Sequence, residues 1–341
     1  MKARPAEEQH QDALGGLAGL SLEPVDKVFQ VPEATNIRAA PKVLSNRVGR
    51  VDAGQSLTIL AKVSGEHWYL VETDDGARGF VFADAITLAS AEKKATVKAK
   101  KSSIPNLDYG DYYALVIGNN DYQELTSLRS AVNDAKAVAA VLEVDYGFNV
   151  KLLENVSRKD ILRSLKHLRE TVSVKDNVLI YYAGHGYLDK AADQGYWLPV
   201  DSGRDDDSNW IPTDRITGQV KAMKAKHVMV VADSCFSGTL TRAIKIQQRT
   251  PEWLSEIVKK KARTALTSGG LEPVMDTGSG NHSAFAHAFI SLLEQNDGVL
   301  DASQLFSELR PKVMVNSTQT PEYGKIHMAG DDGGDFLFVR Q

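Results

Sequence analysis

Two uninterrupted apolar stretches constrain this chain more than any other feature: Asn177–Ala183, reading Asn-Val-Leu-Ile-Tyr-Tyr-Ala, and His227–Ala232, reading His-Val-Met-Val-Val-Ala. A strand with one wet face alternates apolar and polar residues. A strand covered on both faces reads as a continuous apolar run, which is the pattern of a parallel sheet held between helices. Around these two stretches strand-like and helix-like segments alternate. Tyr113–Gly118, Asn149–Leu153, Arg263–Thr267 and Asp335–Val339 read as strands. Ala131–Val144, Lys159–Thr171, Thr213–Met223, Trp253–Lys261, Ser283–Leu293 and Ala302–Leu309 carry a helical period or lie where a helix is required. The alternation predicts an α/β fold of three layers with a mostly parallel central sheet.

The first third has another texture. Val28–Val31, Gln55–Ala61, Trp68–Glu72 and Gly79–Phe82 are short β-prone runs separated by turn signals at Asp52-Ala53-Gly54 and Asp74-Asp75-Gly76, which predicts a small all-β barrel. A chain of 341 residues has room for about two domains. The expected organisation is a flexible segment over 1–25, the barrel over 26–90, a Lys-rich linker over 91–109 and the α/β domain over 110–341. Within the barrel, Asn36-Ile37-Arg38-Ala39-Ala40-Pro41, Gly54, His67-Trp68-Tyr69-Leu70-Val71 and Gly79-Phe80-Val81 resemble the bacterial SH3-like domain. That resemblance implies either a ligand of peptide or cell-wall type or a spacer role.

Charge and length exclude several classes of function. With 40 basic and 44 acidic side chains the formal charge is −4, which does not suit a protein that holds nucleic acid by its phosphates. The lysines between 91 and 101 read as a solvated tether rather than a grip on anionic membrane. No apolar run approaches the roughly 18 residues needed to cross a bilayer, and the N-terminus lacks the apolar core of an export signal. The expected compartment is the cytoplasm, or an exported location had a signal been removed.

Cys235 is the only cysteine, so neither an intramolecular disulfide nor a multi-cysteine zinc site can form. Its position is more telling. In an open α/β sheet ligands lie beyond the carboxyl ends of the strands. The stretch ending at Ala183 runs into Gly184-His185-Gly186, and that ending at Ala232 runs into Asp233-Ser234-Cys235-Phe236-Ser237-Gly238. If the two strands are neighbours, His185 and Cys235 emerge side by side. A thiol with a free pKa of about 8.5 is a strong nucleophile in its small ionised fraction, and an imidazole beside it can take the proton and return it to a leaving amine. Backbone N–H groups of Gly186 and Cys235 are the candidate oxyanion donors. No third residue that would orient His185 can be named. His282 and His287, five residues apart, lack the spacing of a helical zinc-protease motif.

Tyr181-Tyr182-Ala183-Gly184-His185-Gly186 and Asp233-Ser234-Cys235-Phe236-Ser237-Gly238, with 50 residues from the histidine to the cysteine, closely resemble the caspase-like cysteine peptidases, in the metacaspase and orthocaspase branch. Ala114-Leu115-Val116-Ile117-Gly118-Asn119, Asn133-Asp134-Ala135 and Trp197-Leu198-Pro199-Val200-Asp201 extend the resemblance over about 110–341. It implies a cysteine endopeptidase cutting after Arg or Lys, with Asp134 and Asp233 receiving the basic side chain. The competing assignment has Asp134 capping or decorating the first helix of the domain and Asp233 satisfying backbone donors in the catalytic loop. The branch commonly carries serine at the position of Ala183, so one pocket hydroxyl is missing. Self-cleavage between 239 and 261 is expected, with Arg249 the favoured position. No cofactor or metal is expected: Asp201 and Asp214 partly match the calcium ligands of many metacaspases, but Arg242 stands where a further acidic ligand would be, and Asp205-Asp206-Asp207 reads as a solvated loop. The alternative function is a non-catalytic scaffold that uses its SH3-like domain on a relic peptidase fold.

Overall fold

The computed structural model describes residues 20–31, 35–41, 45, 47–52, 54–64, 68–73, 76–82, 107–234, 241–243, 251–269, 282–317 and 319–341. Cys235, Arg249, the Lys-rich stretch up to 106 and residues 1–19 lie outside them. The chain divides into two compact units, residues 1–97 with 314–318 and residues 98–313 with 319–341.

In the first unit six strands, β1 (Leu22–Gln30), β2 (Thr35–Arg38), β3 (Arg47–Val51), β4 (Ser56–Val63), β5 (Trp68–Glu72) and β6 (Arg78–Phe82), form one sheet in the order β1-β4-β5-β6-β2-β3. All pairings are antiparallel, and Ile37, Leu57, Ile59, Val71 and Val81 fill the core without exposure. The sheet begins earlier than the sequence suggests. β1 starts at Leu22, inside the stretch expected to be flexible, and pairs Leu22 with Val63. A register shift between Pro24 and Lys27 breaks the period-two pattern there, which hides the first half of the strand.

The second unit runs β7 (Tyr112–Gly118), α1 (Ala131–Tyr146), β8 (Asn149–Glu154), α2 (Arg158–Thr171), β9 (Asn177–Ala183), then three short strands β10 (Gly186–Asp189), β11 (Gln194–Trp197) and β12 (Ile211–Pro212). It continues through α3 (Thr213–Ala222), β13 (His227–Asp233), β14 (Thr241–Ala243), α4 (Pro251–Ile257), β15 (Ala262–Thr267), α5 (Ala284–Gln295), β16 (Val299–Asp301), α6 (Ala302–Asn316), β17 (Glu322–Ile326) and β18 (Leu337–Val339). The central sheet has the order β14-β17-β15-β13-β9-β7-β8. Its pairings from β8 to β15 are parallel, and those of β17 and β14 are antiparallel.

All seven residues of β9 and all seven of β13 are buried, as their apolar runs predict. Alternate residues serve opposite layers. Leu179, Tyr181, Met229 and Val231 pack with Val138 and Leu142 of α1, Phe285 and Phe289 of α5 and Leu305 of α6. Val178, Ile180, Val228 and Val230 pack with Ile161 and Leu165 of α2 and Ile216 and Val220 of α3. This is a three-layer sandwich around a mostly parallel sheet, with an all-β region before it in the chain. Gly147 ends α1 in the left-handed conformation at φ 65°, and its N–H reaches the Glu143 carbonyl at 3.2 Å.

Two details differ from the sequence reading. Among the described residues the final strand joins β16 rather than the central sheet, and the Asp335 carboxylate just before it accepts bonds from Ser303, Tyr323 and Phe336 and anchors the chain there. The antiparallel strand β17 was not anticipated, since Gly324 and Lys325 interrupt its apolar character.

Candidate active site

β9 and β13 are adjacent and parallel, with Asp233 opposite Ala183 and the Gly184 amide 3.4 Å from the Asp233 carbonyl. The segments that follow them therefore leave the sheet at one edge. His185 is two residues beyond Ala183. Ser234 is the last described residue on the neighbouring path, and Cys235 follows it outside the described region.

His185 is half-buried and held at three points. Its Nε2 lies 2.7 Å from the carbonyl oxygen of Thr126. Its amide donates to the Tyr122 hydroxyl at 2.7 Å, and the Tyr122 ring packs against the imidazole with centroids 4.6 Å apart. The Tyr182 hydroxyl stands 2.8 Å from the His185 carbonyl, and its ring stacks on Trp197 at 4.4 Å. Gly184 is needed here: a Cβ at that position would sit 2.7 Å from the Tyr122 hydroxyl and 2.8 Å from that of Tyr182. A carbonyl oxygen can only accept, so Nε2 carries the hydrogen and Nδ1 keeps the lone pair in the neutral ring. The group that orients the imidazole is thus the main chain of Thr126, and no residue type in the sequence could have announced it. Gly186 opens β10 opposite Trp197.

The two aspartates come together behind this edge. Asp134, in the first turn of α1, and Asp233, the last residue of β13, are almost fully buried at 1% and 2% exposure. Both line a narrow cleft with Leu128, Ser130, Ala183 and Gly184. His282 and Ser283, which sequence reasoning left without a role, hold these carboxylates. His282 Nδ1 lies 2.6 Å from Asp134 Oδ1, and the Ser283 amide donates to Asp134 Oδ2 at 3.3 Å. The Ser283 hydroxyl donates to Asp233 Oδ2 at 2.5 Å and accepts the Ala286 amide at 2.9 Å, capping α5. That serine was legible as a helix start, but its bond to a strand 50 residues earlier was not. Asp134 caps no helix. The capping position of α1 belongs to Ser130.

Burial pushes the Asp233 carboxyl up to about 7, with the negative charge of Asp134 adding to the effect. Burial also raises Asp134, opposed by its bond to His282. A pocket of this kind rejects anionic side chains and gains most from a cation that lets both carboxyls ionise.

Asp205, Asp206 and Asp207 are exposed, as expected of a solvated loop. Asp201 Oδ1 accepts the Arg158 amide at 2.9 Å, and Asp206 Oδ1 accepts the Ser208 amide at 2.9 Å. Among the described residues no group of three or more His, Cys, Asp or Glu side chains could hold a metal ion. Among them too, no helix is long and apolar enough to cross a membrane.

Residues 111–330 match the Caspase domain family of peptidases. The chain belongs to that family. Residues 33–87 of this caspase-domain protein match the Bacterial SH3 domain. It is 29% identical over 171 residues to Metacaspase-4 of Arabidopsis thaliana, covering 44% of this chain and 37% of that protein. It is 28% identical over 153 residues to Metacaspase-1A of Aspergillus oryzae, covering 38% of this chain and 35% of that one. The aligned region therefore spans little more than a third of either relative. Among solved structures, Caspase-1 from Spodoptera frugiperda superposes with a TM-score of 0.46 at 15% identity, covering 65% of this chain and 91% of that one.

Proposed function

We propose that this caspase-domain protein is a cysteine endopeptidase that cleaves after Arg or Lys through Cys235 and His185. The observation that supports this most is the attitude of His185. Its Nε2 is committed to the Thr126 carbonyl, so Nδ1 is the nitrogen left for chemistry, at the sheet edge that β9 shares with the strand leading to Cys235.

In this reading the Cys235 thiol gives its proton to Nδ1, and the thiolate sulfur bonds to the scissile carbonyl carbon. The negative charge on the carbonyl oxygen is received by the N–H groups of Gly186 and Cys235. Collapse breaks the C–N bond, and the Nδ1 proton leaves with the amine. Water, deprotonated by Nδ1, then hydrolyses the thioester and restores the thiol. Asp134 and Asp233 receive the basic side chain that precedes the cleaved bond. The partner is thus a protein or peptide substrate. Self-cleavage within 239–261, at Arg249 above all, belongs to the same reading and rests on the sequence, as does a peptide or cell-wall ligand for the SH3-like unit.

The test is cleavage of fluorogenic peptides ending in Arg, Lys or Asp by the wild type and by Cys235→Ala, with and without calcium. Turnover of the Arg and Lys peptides by the wild type alone is expected. Equal signals from both proteins, or none under either condition, would sink the reading and leave the scaffold alternative standing. A wild type that stays intact on a gel while cutting the Arg peptide would remove self-processing alone.

A further inference from the structure

The three short strands that follow His185 form a sheet with one buried and one open face. Trp197 and Ile211, paired across β11 and β12, are fully buried, and Trp197 stacks on Tyr182. Their neighbours in sequence take the other face. There Tyr187 of β10 stands opposite Tyr196 of β11, and Trp210, just before β12, lies against both. Ring centroids are 4.9 Å apart for Tyr187 and Trp210, 5.5 Å for Tyr196 and Trp210 and 6.3 Å for the two tyrosines. No pair is stacked, so the rings do not hide one another's faces. The Trp210 ring is fixed by its Nε1–H, which donates to the Gly203 carbonyl at 3.0 Å. Tyr187 is 45% exposed, on a face that in an antiparallel sheet turned to water ordinarily carries polar side chains.

The ground around the rings is acidic. From Gly186 to Arg215 seven aspartates stand against Lys190, Arg204 and Arg215, an excess of four negative charges that equals the formal charge of the whole chain. Asp189 lies two residues along β10 from Tyr187 and so on the same face, while Asp207 and Asp214 are exposed on either side of β12. Burial, then the charges of Asp189, Asp207 and Asp214, raises the Tyr196 hydroxyl, which sets these carboxylates within electrostatic reach of the rings. Open π-faces bordered by carboxylates complement a planar, weakly hydrated cation. Guanidinium can lie on a ring while its N–H edge reaches the carboxylates, whereas ammonium is more strongly hydrated and has no plane to stack. We propose that the outer face of β10–β12 docks an arginine-rich segment of another polypeptide, with Tyr187 as its principal platform. The charge of the patch disfavours nucleic acid and anionic lipid as occupants. Gly186, the first residue of β10, follows His185 directly, so the docked segment is held next to the proposed active site but apart from the cleft of Asp134 and Asp233. This binding goes beyond the proposed peptidase activity and does not depend on it.

The test is fluorescence anisotropy of a fluorescein-labelled peptide of alternating glycine and D-arginine, which resists cleavage, titrated with the full-length protein. Saturable binding that weakens with added salt is expected, and the matched D-lysine peptide should bind less tightly. Tyr187→Ala should weaken binding of the arginine peptide roughly fivefold, the worth of one ring–cation contact. Tyr187→Leu keeps apolar bulk on the hairpin but has no π-face, and should do the same. Its loss separates docking from a purely structural role of the cross-strand tyrosine pair. Asp207→Asn should also weaken binding and reduce its salt dependence. Asp332→Asn removes the same charge beside the Lys261 carbonyl, at the opposite edge of the central sheet, and should leave binding unchanged. Absence of binding, equal affinity for the two peptides, or Tyr187 variants that bind like the wild type overturns the inference. Binding lost in Asp233→Asn but kept in the Tyr187 variants would assign the peptide to the cleft, and likewise overturns it. Failure to cleave the fluorogenic Arg peptide, with binding of the D-arginine peptide intact, would overturn the peptidase reading and leave the docking surface standing.

Discussion

If the pocket receives the basic side chain as proposed, the proton on Asp233 decides what it can hold. With its carboxyl pushed up to about 7, the group is largely neutral at pH 6 and largely ionised at pH 8, and only the ionised form pairs with a cation. KM for an Arg peptide should therefore fall as pH rises across that interval. Asp233→Asn should raise KM by roughly 30-fold or more, as expected when a buried charge pair loses one partner, and should flatten its pH profile. Initial-rate measurements at several pH values check both, and a wild-type KM independent of pH would count against the assignment. The proposed site residues His185, Asp134 and Asp233 were legible as candidates because each sits beside an apolar strand or in a short motif. Thr126, Tyr122, His282 and Ser283 stayed hidden for different reasons. Thr126 acts through a main-chain oxygen, Tyr122 and Ser283 through hydroxyls brought in by other elements, and His282 has no metal-ligand spacing to draw notice.

At the level of elements, two further buried ionisable groups lie on β13 and its neighbour β15. His227 opens β13 at 2% exposure, with Nε2 3.1 Å from the Lys260 carbonyl, and burial, reinforced by the Lys226 charge, brings it down to about 4. Unfolded histidine titrates near 6.5, so between those values the unfolded chain binds the extra proton. The contribution of neutral His227 is fully present above about pH 6.5 and is lost as pH falls towards 4, amounting to about 2 kcal/mol at pH 5. His227→Gln should lose less stability than the wild type between pH 7.5 and 5, as read from chemical denaturation. Next along the sheet, buried Arg263 donates to the carbonyls of Met223, Ala225, Lys226 and Ala262, tying the end of α3 to β15. Lysine cannot span those acceptors, so Arg263→Lys should cost about 2–4 kcal/mol and lower Tm by several degrees in a thermal melt. Periodicity made β9, β13 and the helices legible. It placed Arg263 in a strand but said nothing of its burial, since the carbonyls that stabilise it are assembled only by tertiary folding.

Across the whole molecule, each of the two compact units has its own apolar core, and the core of the second is split between the two faces of its central sheet. The residues placed in the chemistry all belong to the second. A chain of residues 98–341 should therefore cleave a short Arg peptide with the kcat/KM of the full protein, and a large loss would mean that the β-sheet unit takes part in the reaction. The change from strand-only texture to strand–helix alternation exposed this division in the sequence, while the bulge beside Pro24 and the antiparallel edge at β17 blurred its details. The Thr126 carbonyl on His185 has one more consequence. Every amino acid contributes the same backbone oxygen, so a mutational scan across position 126 would pass over this contact almost blindly. Losing it calls for a change of path in the polypeptide rather than a change of letter, and a genetic screen for dead variants would find the loop's anchors before it found the loop.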